Sequence, residues 1–238
     1  MSEERSGSGA PVLRHEQAES LSWSGGDPAL VEAVAQHVER FVGKPAGLAS
    51  EAVSPYVHVD VHVVEPSDAR PAYTLVTSGM SERPMAAPDG DAYAELVMVL
   101  PPTWPGPDSP QFDTREARWP YELLQDLARL PHEFGTRLWS GHTVPNGDPP
   151  EPYASNTSLC GALLAPPLIH PDGFDQLAVG EREIRFFAVI PLHRDEMQLK
   201  LDRGLDALYD LLDAAEITEI LNADRPSVIP RRRKLFRR

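Results

Sequence analysis

Cysteine occurs once in these 238 residues, as Cys160. A disulfide framework is thereby excluded, and so is a thiolate-rich metal site. No apolar run approaches the roughly 18 residues that a membrane-spanning helix needs. The opening Met-Ser-Glu-Glu-Arg-Ser-Gly-Ser-Gly has no apolar core of the signal-peptide kind. Together these absences lead to the expectation of a soluble, cytoplasmic protein in a reducing compartment, with no membrane contact. No Gly-x-Ser-x-Gly stretch is present, and Gly25-Gly26-Asp27 precedes a helix without the lysine or the glycine spacing of a phosphate loop.

Acid and proline are what the chain has in plenty. The formal charge is −14, with 22 basic and 36 acidic groups. Six of the basic groups and no acid lie in the last eight residues, Arg231 to Arg238, so residues 1–230 carry a net −20. Such a body repels nucleic-acid phosphates and attracts cationic partners. The 25 prolines cluster in loops, as in Pro101–Pro110 and Pro145–Pro152, and punctuate short elements. A length of 238 residues can bury a substantial core.

Residues 1–26, polar and rich in Ser, Gly and Glu, are expected to be a flexible N-terminal segment. Asp27-Pro28 then starts a helix, with an N-cap acid and proline in the first turn, and Gly43 ends it. Tyr56 to Val64 alternates strictly and predicts a half-buried strand with valines inward and His58, Asp60 and His62 on a wet face. Further strands are expected at 73–77, 92–100, 159–164 and 182–190. Pro120 fits the first turn of a helix whose inner stripe is Leu123, Leu124, Leu127 and Ala128. A last helical pattern over 197–215 is interrupted by Gly204. Strands and helices mixed without regular alternation predict an α+β fold. The expected unit is a single domain over 27–225, a mixed, mostly antiparallel sheet flanked by a few helices, followed by a basic tail over 226–238.

The candidate chemistry is thin. His58, Asp60 and His62 share a strand face, but the first and last stand roughly 13 Å apart along it, too far to close on one ion. Cys160 has no lysine or arginine within ten positions to stabilise a thiolate. Ser140, His142 and Asp148 are the residue types of a hydrolase triad in an order that says nothing of geometry. No cofactor, metal or catalytic residue is therefore assigned. The loop from Val144 to Tyr153, stiffened by Pro145, Gly147, Pro149, Pro150 and Pro152, suits recognition because it loses little entropy on binding.

Several blocks stand in an ordered series: His58-Val59-Asp60, Thr77 to Met85, Ala94-Glu95-Leu96, Trp119 to Arg129, Ser140 to Val144, and Phe187 to Leu192 followed by Glu196 and Gly204. In that order they resemble the suppressor of fused family, over about residues 28–215 and in its short bacterial form. The resemblance implies protein binding. Animal members clamp a transcription-factor peptide, and bacterial members are similar to immunity proteins that neutralise a toxin by contact. The animal peptide-contacting strand holds Ser-Gly-Asp-His-Val, whereas here Ser140-Gly141-His142-Thr143-Val144 lacks the acid. The expectation is a non-enzymatic intracellular protein-binding domain, an immunity-like protein with a cationic toxin as partner. The alternative is a regulatory scaffold with a permanent partner. The expected binding face joins Gly141, His142, Thr143, Asn146 and Asp148 to His58 and Asp60. Asn146 offers donor and acceptor, and His142 can switch charge near about pH 6.5. Removing both side chains is expected to spare stability and weaken binding.

Overall fold

The computed structural model describes residues 4–14, 19–49, 54–87 and 92–230. The basic run Arg231–Arg238 lies outside the described residues. The elements in chain order are β1 (Trp23–Ser24), α1 (Pro28–Phe41), β2 (Gly47–Ala49), β3 (Ser54–Pro55), β4 (Asp60–Val64), β5 (Tyr73–Ser78), β6 (Tyr93–Leu100), α2 (Arg115–Glu133), β7 (Thr143–Pro145), β8 (Gly161–Ala165), β9 (Gln176–Val179), β10 (Arg182–Leu192), α3 (Arg194–Arg203) and α4 (Leu205–Ala214). Strands β2-β4-β5-β6-β10-β8-β7 form one sheet, with β9 paired to β10, and β1 and β3 make a separate ribbon. Only the β6–β10 pair of that sheet is parallel, so the mixed, mostly antiparallel sheet with flanking helices is as expected.

Helices cover both faces of the sheet. On one, Val61, Val63, Leu75, Leu96, Met98 and Val189 pack against Trp119, Leu123, Leu124 and Leu127 of α2. On the other, Val64, Val76, Val97, Ile184 and Phe186 receive Leu30, Val34 and Val38 of α1. Further along that second face, Leu163 and Leu192 receive Met197 of α3 and Leu208 and Leu212 of α4. Each such large side chain contributes about 1.5–3 kcal/mol by leaving water.

Double coverage corrects the half-buried reading of 56–64. All five residues of β4 are buried. Tyr56 has a positive φ of 65°, which breaks the run before the strand starts, so residues 56–59 lie outside it. Asp60 and His62 lie on the face that was expected to be wet, and there they are buried. His58 Nε2 lies 3.2 Å from Asp60 Oδ1, and His62 Nε2 lies 2.9 Å from Ser78 Oγ.

Helix starts are partly as read. Asp27 caps α1 by accepting from the Ala29 and Leu30 amides, and Gly43 follows its end with φ 151°. By contrast α2 begins at Arg115, so Pro120 sits inside it and not in its first turn. Proline has no N–H for the carbonyl four residues back. That carbonyl, on Glu116, accepts from Asn156 Nδ2 at 3.1 Å instead. Gly204, with φ 92°, separates α3 from α4, as the interrupted pattern implied.

The expected flexible segment is bonded to the body where it is described. Ser8 N donates to Leu201 O at 2.9 Å, and Glu19 N to Glu133 O at 2.6 Å. Beyond residue 225, Val228 N donates to Glu196 Oε1 at 2.9 Å.

Two buried carboxylates tie distant segments together. Glu95 accepts from Thr77 Oγ1, Gly79 N, Ser81 N and Ser81 Oγ at 2.6–3.0 Å. Burial raises its pKa against the pull of those bonds. Glu196 takes both Arg225 nitrogens, Nη1 and Nη2, at 2.6 Å each, and the His193 amide at 2.8 Å. Burial works against its charge, but Arg225 and the amides outweigh it, and its pKa is lowered. Arg225→Met leaves that carboxylate buried and unpaired. It is expected to lower the unfolding free energy by about 3–5 kcal/mol in urea titration, and adding Glu196→Gln should restore part of the loss.

Candidate functional site

Strand β7 ends the sheet, with β8 as its one strand partner. Leu164 N donates to His142 O at 3.0 Å, and Asn146 N to Cys160 O at 2.9 Å. Even-numbered residues here therefore turn their backbone toward β8. Antiparallel pairing alternates, so Thr143 and Pro145 turn theirs outward. The free edge offers the Thr143 N–H and the carbonyls of Thr143 and Pro145, and Pro145 contributes no donor. Such an edge is a template for another chain, shortened and blunted by proline.

The surroundings of β7 are basic. Thr143 pairs with Leu163, which belongs to the cluster under α3 and α4. From α3, Lys200 Nζ donates to Thr143 Oγ1 at 3.4 Å. Burial lowers the Lys200 pKa. Burial also lowers that of half-buried His142, and the charges of Lys200 and Arg137 push it the same way. The Arg137 guanidinium stands 5.6 Å from the Trp139 ring centroid, and Trp139 meets Phe187 edge-on at 4.9 Å.

The residues expected to form one binding face are not all together. Gly141, His142, Thr143, Asn146 and Asp148 gather at and beyond β7. Asp60 opens β4 and His58 lies just before it, with β5, β6, β10 and β8 in between. At about 4.8 Å per strand, five spacings put the groups roughly 24 Å apart. Asp60 is also buried, which removes it from any wet face. Asn146 is tied inward: its Nδ2 donates to Glu151 O at 2.7 Å, and its carbonyl accepts the Glu151 amide at 2.9 Å. It closes the proline loop, and Asp148 stays exposed at the loop's turn.

Other chemistry finds little support in the geometry. Among the described residues, no group of three or more His, Cys, Asp and Glu is placed to hold a metal ion. The fold brings Arg194 to Cys160, but burial outweighs it and raises the thiol pKa. A surface groove of about 440 Å³ lies between residues 83–87 and the end of α2, and its His132 is already bonded to Met80 O at 2.8 Å. No helix among the described residues is long and apolar enough to cross a membrane.

Sequence reading placed β7 near the site but missed Lys200 and Arg137. Lys200 carried no local signal, because α3 reaches β7 only through the fold.

The comparisons with known proteins identify this doubly covered mixed sheet as a known architecture. The family model described as "Suppressor of fused protein (SUFU)" matches residues 55–226, and the chain belongs to that family. Solved structures share the fold. A suppressor of fused homologue from Neisseria gonorrhoeae FA 1090 aligns with a TM-score of 0.65 at 17% identity, over 87% of this chain and 100% of that one. A chain of the Sufu–Fu complex gives 0.58 at 16%, over 85% and 92%. Drosophila Suppressor of Fused gives 0.56 at 17%, and only 50% of its chain is covered. No curated protein sequence matches the chain.

Asn146→Ala is expected to cost about 1 kcal/mol in thermal or urea unfolding, contrary to the neutral outcome implied by the sequence. Acid should also destabilise the fold through its histidines. Burial is the leading cause that lowers the pKa of His37, His62, His132 and His142. The unfolded chain takes up protons near about pH 6.5, before these folded groups do. Their neutral-state stability is therefore full above that value and is lost as pH falls below it. Melting temperatures between about pH 8 and about pH 5 check this.

Proposed function

We propose that this protein is a non-enzymatic intracellular binding domain that accepts an extended segment of another protein along β7. The observation that carries the reading is the outward backbone of Thr143 and Pro145 at the end of the sheet. Strand addition draws affinity from main-chain hydrogen bonds and specificity from the flanking side chains. Family membership and the likeness to a chain of the Sufu–Fu complex support a protein as partner.

The finer reading is an immunity-like protein that neutralises a toxin by direct contact in the cytoplasm. The net −20 of residues 1–230 favours a cationic partner, since opposite charge speeds encounter. His142 and Thr143 take the role of contact residues in this reading. Gly141 gives β7 its entry turn, with φ 82°, and Asp148 marks the exposed loop beside it.

Thr143→Pro deletes the outward donor and leaves the bonds to β8 in place. Wild type and variant, tagged and used side by side on native host lysate, are expected to differ by one stoichiometric protein, retained only by wild type. Their stabilities should differ by no more than the lost Lys200–Thr143 hydrogen bond, about 1 kcal/mol. Co-expression of that protein, if it is toxic, with each form then separates immunity from a permanent regulatory complex. A partner retained equally by the proline variant would show that β7 is not the docking edge.

A further inference from the structure

Three basic side chains gather at β7 on a body whose net charge is −20. Lys200 reaches Thr143 from α3, His142 adjoins the strand, and Arg137 lies over Trp139 just before it. Among the described residues, none of the three has a carboxylate at ion-pair distance. That is unusual company for a chain with 36 acids. Lys200 is half-buried, and burial is the sole cause acting on its pKa, with no acid acting against it. A desolvated ammonium without a counter-charge costs stability that the protein itself does not recover.

The position of that ammonium is specific. In an antiparallel addition, the residue opposite Thr143 projects to the same face as Thr143. That face is the one covered by α3, where Lys200 meets Thr143 Oγ1 at 3.4 Å. We infer that the β7 edge takes an extended partner segment with an acidic side chain opposite Thr143, whose carboxylate pairs with Lys200. This rests on the edge-strand reading above. The acidic body and the basic edge then have separate tasks. Long-range charge selects partners that are cationic as a whole, and the edge selects within such a partner the segment that carries an acid.

The test uses the full chain, isotopically labelled, with blocked octapeptides of alternating Thr and Val that carry Asp, Asn or Lys at one central position. Amide shifts of Thr143 and Val144 report edge binding. The Asp peptide is expected to bind roughly tenfold more tightly than the Lys peptide, with the gap narrowing as salt rises. Lys200→Glu should invert that order. Lys200→Met, which keeps the aliphatic stem, should bring the Asp peptide level with the Asn peptide. Equal binding of all three peptides at Thr143 would overturn the acid preference while leaving the edge intact. Peptides that leave the Thr143 amide unmoved would overturn the edge reading and this inference with it.

Discussion

Glu95 holds a carboxylate where water does not reach, and that constraint organises one end of the molecule. Its oxygens accept from Thr77, Gly79 and Ser81, so the turn after β5 is folded around a side chain of β6. The turn is tight: a Cβ on Gly79 would lie 1.8 Å from His58 O, so the position admits only glycine. Met80 O then meets His132 of α2 at 2.8 Å, which fixes the helix against the same turn. A sheet covered on both faces offers little solvent to its polar groups, so most find a partner inside the protein, although the buried Thr74 Oγ1 of β5 has none. Glu196 meets the same demand at the opposite end, where it joins the end of β10 to the segment around Arg225.

The blocks that carry the family resemblance are mostly these ties. Thr77 to Ser81 and Glu95 form one network. Trp119 stacks on Tyr153 at 5.1 Å and meets Trp104 edge-on at 5.9 Å. Glu196 holds Arg225, and Gly204 separates two helices. Membership of the family therefore reports an architecture. The shared architecture persists against solved structures at 16–17% identity, a level at which few side chains coincide and partner identity does not transfer.

What the sequence made legible follows from range. Asp27-Pro28, Gly43 and Gly204 act within one turn of chain, and the helices they bound were readable. The alternation of 56–64 was also real, but alternation reports that one face is apolar, not that the other is wet. Asp60 and His62 looked like solvent-facing residues because their partners, His58 and Ser78, gave no sign of pairing. Pro120 was read as a helix start because the orphaned Glu116 carbonyl is rescued by Asn156, which is remote in sequence. The open edge at β7 was legible only in part. Ser140 to Asp148 advertised a stiff loop, but nothing local says which strand is last in a sheet, or that four strands stand between β4 and β7.

The open edge is also where the electrostatics change sign. Acids elsewhere on the surface are solvated, and their sum acts over about a Debye length, so it influences approach more than alignment. Lys200, His142 and Arg137 act at contact distance and beside backbone groups that have no strand partner. Proline at 145 removes one donor and leaves β7 short, which limits pairing between copies of this chain. A partner must therefore gain from side chains what three residues of ladder cannot supply. Lys200 and Arg137 supply positive charge at that place, so in the proposed docking the charge of the incoming residue, and not the length of the ladder, discriminates between segments.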